Sequence, residues 1–152
     1  MGDRSPFEEY CIVSCGMLQP ELSYLMRTGF LSPRAIAFTP PGLHAIPDRL
    51  EKHLTKRLEE AKVICPPRRI IVAYGRKCYL NPDDPSKNID SIIRSVGEGI
   101  RRVQADYCYD MLAGREERER ISGGEPDKIL WFTPGWLENW KLIYQRLSLI
   151  HI

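Results

Sequence analysis

The chain has 152 residues, 43% hydrophobic and 28% charged, as is typical of one domain with a real hydrophobic core. Its 22 Lys and Arg residues nearly balance 20 Asp and Glu residues and are scattered among them, which argues against a nucleic-acid partner because such a groove needs a concentrated positive stripe. No apolar run has the length of a membrane span and the N-terminus lacks the apolar segment of a signal peptide, so we expect a cytoplasmic protein without a membrane partner.

Strand-like and helix-like stretches alternate along the chain. An apolar run over 9–15 predicts a first strand, and Pro20 and Gly29 mark the beginning and end of a short helix. A second strand is predicted over 34–40. Apolar residues at every third or fourth position over 46–61 then predict an amphipathic helix.

The middle of the chain repeats this alternation. A third strand is predicted over 68–75, because the run is apolar without alternation, as in a strand covered on both faces. Apolar spacing over 89–96 predicts a helix. A fourth strand, interrupted by arginines, is predicted over 100–106, followed by a helix over 107–112 that Asp106 would cap.

The last third begins with a charged, Gly-rich stretch over 115–128 that we predict to be a surface loop. Residues 129–133 are predicted to form a fifth strand, with Thr133 as N-cap and Pro134 as first residue of a final helix. Trp131 and Trp140 are predicted to fill the core, and the final helix to bury an apolar stripe. The stripe consists of Leu137, Trp140, Tyr144 and Leu147.

Five repeats of strand followed by helix predict a single α/β domain over residues 1–152. Parallel neighbours need crossover connections, which the helices supply, so the pattern indicates a Rossmann-like three-layer fold with a mostly parallel sheet of about five strands. Ligands bind such sheets outside the carboxyl ends of the strands. The residues that follow each strand are therefore the candidates for a functional site.

The five cysteines are an odd number without an export signal, which indicates reduced thiols rather than a disulfide framework. Cys11, inside the first strand, is predicted to be an ordinary buried residue. Cys65 is predicted to be an ordinary loop residue. His53 lies on the polar face of the long helix and is predicted to be solvated.

Four donors of the kind that softer metals prefer follow four of the predicted strands. They are Cys15, His44, Cys78 and Cys108. Thiolate and imidazole bind zinc, iron and iron-sulfur clusters, so the set would close a structural zinc site, or leave one position open if three of the four bind. There is no C-x-x-C knuckle, and the hypothesis therefore depends on the predicted topology.

A nucleophile is the alternative role for Cys108. Near a helix N-terminus its thiolate would be favoured by unpaired N–H groups, which would lower its pKa, and His44 would be the basic partner. No P-loop and no G-x-G-x-x-G follows the first strand. ATP hydrolysis and ordinary dinucleotide chemistry are therefore disfavoured.

The Thr133-Pro134-Gly135 corner is predicted to leave the first-turn N–H groups of the final helix free at the edge of the sheet. There they would bind an anion or a ligand carboxylate. Trp136 would stand beside them.

Several short motifs, in this order and approximate spacing, resemble a family of anaerobe proteins catalogued as a domain of unknown function, numbered 1638. The motifs are "CGMLQPEL", "GLHAIPDRL", "YGRKC", "ADYCYDMLAGREER" and "WFTPGW", between about Cys11 and Trp140. The resemblance implies a single α/β domain encoded beside corrinoid-dependent methyltransferases. It therefore implies a link to methyl transfer or to assembly of its cofactor, with a corrinoid protein or a methyltransferase as partner.

The resemblance also implies a shared metal or cofactor site, because all four candidate ligands fall in the motifs. Three hypotheses stay open: a metal- or corrinoid-associated protein of anaerobic methyl metabolism, a thiol enzyme, and a non-catalytic partner of a methyltransferase. The candidates for contacts with a cofactor are Tyr74, Gly75, Thr133, Gly135 and Trp136.

Two features depart from the family. Residues 79–88 replace a Gly-rich segment that many members carry, which puts in doubt any phosphate-like contact of that segment. The ending "LSLIHI" indicates a truncated chain. We then expect at least one missing strand and helix, with an exposed sheet edge or an incomplete core.

Overall fold

The computed structural model describes residues 6–148, with side chains over 6–145. Within these residues four β-strands alternate with five α-helices, joined in places by short 3-10 turns. No helix in this part of the chain is both long and apolar enough to cross a membrane. The strands are β1 (Cys11–Ser14), β2 (Ala35–Phe38), β3 (Ile70–Ala73) and β4 (Arg101–Arg102), and the helices are α1 (Gln19–Arg27), α2 (Pro47–Ile64), α3 (Ile89–Val96), α4 (Arg115–Ser122) and α5 (Pro134–Ser148).

All strand pairs are parallel, and the order across the sheet is β2-β1-β3-β4. The chain therefore moves from β1 to one neighbour and then crosses to the other side of β1 for β3. Such a reversal opens a crevice at the carboxyl ends of the two strands, where open α/β sheets bind ligands. The predicted Rossmann-like α/β fold is confirmed, with four strands in the described residues instead of about five.

An apolar layer covers each face of the sheet. On one face, Leu54 of α2 and Ile92 of α3 belong to the same buried cluster as Val13 of β1. On the other face, Leu22 of α1 packs against the cluster that contains Ile12. Alternate side chains of β1 thus enter opposite layers, which explains why this strand is an uninterrupted apolar run.

The helix that we predicted over 107–112 is a 3-10 turn, Cys108–Met111. Asp110 closes its start, because one of its carboxylate oxygens accepts the Tyr107 N–H at 2.8 Å. The predicted cap, Asp106, instead binds the side chains of neighbouring basic residues. A turn of four residues has too few aligned peptide dipoles to produce the positive potential found at the N-terminus of a long helix.

Two predictions for the following segment are also wrong. Residues 115–128 contain α4, and 129–133 pair with no strand among the described residues. For α4 the reason lies in Arg118, which is buried and forms an ion pair with Asp110. A helix that looks uniformly charged in sequence therefore has an inward face.

The apolar stripe predicted for α5 is not buried. Leu137, Trp140 and Tyr144 are 56%, 46% and 68% exposed, whereas Ile143 is in the core. The helix packs on α1 and on the turn that follows β1, and this contact decides which side is covered. Trp140 is therefore no core residue. The side chain of Leu147 and the residues after position 148 lie outside the described part.

Cys11 and Cys65 form a disulfide, with their Cα atoms 6.1 Å apart. The expectation of five reduced thiols is therefore wrong. The bond joins β1 to the residue that follows α2, across 54 positions of sequence, and such a pairing cannot be read from spacing. Within the described residues Cys15, Cys78 and Cys108 are free.

Candidate functional site

The loops that follow the four strands meet at one edge of the sheet. His44, Cys78 and Cys108, from three of these loops, line one cavity of about 300 Å³, which we call the thiol cavity. Cys15, from the fourth, is buried nearby, and its thiol interacts electrostatically with those of Cys78 and Cys108. The fold therefore brings all four candidate ligands to the same place.

The rest of the thiol cavity is largely aromatic. Trp131 is half-buried and its indole N–H donates to the carbonyl of Pro126 at 2.9 Å, which fixes the ring. Trp136 is also half-buried in this wall. An apolar wall keeps water from the donors and so strengthens their interaction with a bound ion. The other lining residues are Lys77, Leu80, Tyr107, Tyr109 and Thr133.

Gly75 allows the loop after β3 to touch the loop after β4. A Cβ at this position would lie 2.5 Å from the carbonyl oxygen of Asp106 and 2.6 Å from the Cα of Tyr107, so a side chain does not fit. The backbone N–H groups of Arg76 and Lys77 each donate to a carbonyl of the second loop at 2.9 Å. This backbone contact brings the third and fourth candidate ligands together.

Gly135 allows the start of α5 to rest on the turn after β1, since a Cβ would lie 1.7 Å from the carbonyl oxygen of Met17. The Gly135 N–H donates to the carboxylate of Glu21 at 3.4 Å, and the Trp136 N–H to the hydroxyl of Thr133 at 3.1 Å. Thr133 is therefore the N-cap, as predicted. The prediction that these first-turn N–H groups are free for an anion is wrong, because the chain's own side chains occupy them.

Tyr74 follows β3 and is completely buried. Its hydroxyl is hydrogen-bonded to the hydroxyl of Thr39 and to the thiol of Cys15. Burial raises the pKa of Tyr74 well above 10, so the phenol stays neutral. Tyr74 does not line the thiol cavity; it holds Cys15 from within.

Burial also determines the protonation state of the three free thiols. It raises the pKa of Cys15 to about 12 and that of Cys108 to about 11, and the pKa of Cys78 also rises. These thiols are therefore protonated at neutral pH. The prediction of a lowered pKa at Cys108 is wrong, because desolvation outweighs what a short 3-10 turn can offer.

Each of these sulfur atoms nevertheless interacts with backbone N–H groups. Cys15 is hydrogen-bonded to the backbone of Met17, and Cys108 to that of Tyr109. Cys78 is hydrogen-bonded to the backbone of Gly75 and of Cys108. Such bonds lower a thiol pKa because they favour the negative form. The loops thus present donors suited to thiolates, while burial keeps the sulfur atoms neutral.

His44 lies in a 3-10 turn, Leu43–Ala45, that follows β2. His44 is exposed to solvent on one side. On the side of the cavity, desolvation lowers the pKa of the imidazole below 6.5. The ring is therefore neutral at pH 7, which is the form that binds metals. Among the described side chains, those of residues 6–145, no three His, Cys, Asp or Glu residues are arranged to hold one metal ion.

Sequence reasoning missed Glu21. One of its carboxylate oxygens is buried and has no hydrogen-bond partner within the described residues, and its charge helps to raise the pKa of Cys108. An acidic residue in the first turn of a helix is usually explained by the helix dipole. Only the burial of its side chain against the start of α5 distinguishes Glu21 from an ordinary first-turn acidic residue.

Residues 38–150 match the family model described as Protein of unknown function (DUF1638). No curated protein and no solved structure matches the chain. The match includes the loops that carry His44, Cys78 and Cys108, and the corner at Thr133, while Cys15 precedes it. Since the model covers well over half of the 152 residues, this protein belongs to the DUF1638 family.

Proposed function

We propose that this protein binds a soft metal ion through Cys15, Cys78, Cys108 and His44, and that it serves anaerobic methyl-transfer metabolism in association with a corrinoid protein or a methyltransferase. The observation that carries the proposal is the convergence of three thiols from three strand ends. Each of them accepts backbone N–H groups. Zinc, iron and an iron-sulfur cluster are the centres that such donors hold.

Charge supports a cation at this place. Three thiolates in a partly desolvated site repel one another, and without a counter-charge burial keeps them protonated. A metal ion supplies that counter-charge and deprotonates the thiols it binds. The backbone N–H groups at the sulfur atoms then stabilise the thiolates.

Binding also requires the side chains to turn toward one another, because the donors as placed do not enclose an ion. Cys78 and Cys108 are half-buried in the cavity wall, so a change of rotamer moves their sulfur atoms without unfolding the loops. Cys15 is held by Tyr74 and contributes the fixed donor of the set. His44 is already neutral and needs no proton loss.

The volume of the thiol cavity limits which ligand can enter it. About 300 Å³ is at the small end of ligand pockets, so an ion with a small ligand fits and a whole corrinoid does not. In this proposal the corrinoid therefore belongs to a partner protein, and the chain provides the metal or thiol site that faces it.

The thiol-enzyme alternative is less well supported. A thiol nucleophile reacts as the thiolate, and burial raises the pKa of Cys108 to about 11. The third hypothesis, a non-catalytic partner of a methyltransferase, is one outcome of the experiment below.

The test is a titration of metal-free protein with Co²⁺ under anaerobic conditions at pH 7. We expect one ion per chain, a thiolate-to-cobalt charge-transfer band, and the release of one proton for each thiol that binds. Cys78→Ser and Cys108→Ser each lower the proton count by one and weaken binding at least tenfold. His44→Ala weakens it too, whereas His53→Ala, on α2, serves as the imidazole control and leaves it unchanged.

Two outcomes would contradict the proposal. A folded wild-type protein that binds no cobalt or zinc, or one whose binding is the same after both cysteine substitutions, excludes the thiol site. Co-purification of such metal-free protein with a methyltransferase would then favour the non-catalytic partner.

A further inference from the structure

A second cavity, of about 850 Å³, lies beside the thiol cavity, next to the loops that follow β3 and β4. We call it the polar cavity. Within the described residues, five basic and four acidic side chains line it, with two tyrosines. Nothing in the proposed function uses this cavity.

The carboxylates of the polar cavity are already occupied. Both oxygens of Asp90 bind the guanidinium of Arg102, at 2.6 and 3.3 Å. One oxygen of Asp106 binds Arg76 at 3.1 Å, and the other binds Lys77 at 3.0 Å. These two side chains therefore have no unbound oxygen to offer a ligand.

Asp110 is occupied in the same way. One of its oxygens binds Arg118 and the other accepts the backbone N–H of Tyr107. Three of the four carboxylates thus have both oxygens engaged. Asp127 adds its charge near Arg115, which also binds Glu119 outside the lining.

Hydrogen-bond donors remain in excess. The ammonium group of Lys77 makes one hydrogen bond to a carboxylate, and Arg76 uses two of its three nitrogens. Arg118 is only 8% exposed, and its Nε has no partner among the described residues. Arg76 and Lys77 also share a single carboxylate, so two positive charges meet one negative charge. A ligand that complements this wall supplies acceptors and negative charge.

We propose that the polar cavity is an oxyanion-binding site, in which Arg76 and Lys77 hold a phosphate or carboxylate group of a small molecule. Both side chains are about half exposed, so an anion reaches them without opening the fold. Asp106 orients them and competes with the anion for their charge. Arg118 adds positive charge from the wall.

The position of the cavity suggests what the rest of the ligand contacts. Lys77, Tyr107 and Tyr109 line both cavities, and the two tyrosine rings are stacked at 5.0 Å. A molecule anchored by its anion therefore extends along these rings toward Cys78 and Cys108. Anion binding itself needs no metal, and so it can be tested independently of the proposed metal site.

The experiment is a calorimetric titration of metal-free protein with inorganic phosphate and, separately, with citrate at constant ionic strength. We expect saturable binding of at least one of them, weakened by added salt. Tighter phosphate binding assigns a phosphate-bearing ligand, and tighter citrate binding a carboxylate. Arg76→Gln and Lys77→Gln each weaken binding at least tenfold, and Lys56→Gln, an exposed lysine of α2 outside the cavity, does not.

Asp106→Asn is the sharper variant, because it removes the competing carboxylate and should strengthen binding severalfold. Loss of folding would have the opposite effect, and circular dichroism of each variant confirms the fold. The proposal is overturned if neither anion binds saturably, or if Lys77→Gln and Lys56→Gln bind alike. Cys78→Ser should retain anion binding whether or not the metal site exists, so the two proposals fail separately.

Discussion

Gly75→Ala should destabilise the protein because the added Cβ collides with the loop after β4. The Cβ would lie 2.5 Å from the Asp106 carbonyl oxygen, whereas ordinary contacts begin at 3.4 Å, so the two loops must separate by about 0.9 Å. The N–H···O bonds from Arg76 and Lys77, now 2.9 Å long, then stretch to about 3.8 Å and are lost. Two lost bonds and the overpacking together cost about 3 kcal/mol of unfolding free energy.

Urea unfolding followed by circular dichroism measures this loss. Gly114→Ala is the control for the added Cβ, because its backbone has φ −57° and no atom lies within 4 Å of the new Cβ. Gly114 is the N-cap of α4, where Ala is less favourable than Gly, while the lower chain entropy of the unfolded state acts in the opposite direction. We therefore expect a change of unfolding free energy of at most about 1 kcal/mol. A loss below about 1 kcal/mol for Gly75→Ala would refute the backbone contact. Equal losses for the two variants would mean that the loops move apart freely.

Three further predictions concern buried side chains: the Cys11–Cys65 disulfide, the Cys108 thiol and the Tyr74 hydroxyl. Mass spectrometry after alkylation in denaturant without reductant should show three labelled cysteines of five, and five labels would exclude the disulfide. Loss of the Cys11–Cys65 bond, which spans 54 positions, should lower the free energy of unfolding in urea by about 4 kcal/mol. In metal-free protein the pKa of Cys108 is about 11 against 9.0 for a free thiol, so its reaction with iodoacetamide at pH 8 should be about 100-fold slower and rise tenfold per pH unit. Because this pKa is raised in the folded state, the associated stability is fully present below pH 9 and falls as pH rises toward 11; a labelling rate equal to that of a free thiol would contradict both statements. Tyr74→Phe should lower the unfolding free energy by about 1–3 kcal/mol, because a buried hydroxyl partner is left unpaired, whereas Tyr144→Phe on the surface should have no effect.

Local pattern alone determined much of the fold. The apolar spacing of α2 follows from helical period, and Leu50, Leu54 and Leu58 are all buried as that period requires. The unbroken apolar runs of β1 and β3 indicate a sheet covered on both faces. The cap at Thr133 is a contact between residues three positions apart. Each of these depends on neighbours in sequence, and so each could be predicted.

The convergence of the candidate ligands was also predictable, with one added rule. Parallel strands end at the same edge of a sheet, so residues that follow the strands had to approach one another. Cys78 and Cys108 therefore line one cavity, although 30 positions separate them in the sequence. The polar cavity was not predicted, because Arg76 and Lys77 meet Asp106 across two loops whose contact depends on Gly75.

Tertiary packing alone decided the rest. The covered side of α5 depends on its contact with α1, so Trp140 is exposed even though its spacing is typical of a buried stripe. The inward face of α4 depends on Arg118 meeting Asp110, and the disulfide depends on β1 meeting the end of α2. The pKa of Cys108 depends on desolvation by several loops. Burial is a property of neighbours far apart in sequence, and for that reason it became visible only in the folded chain.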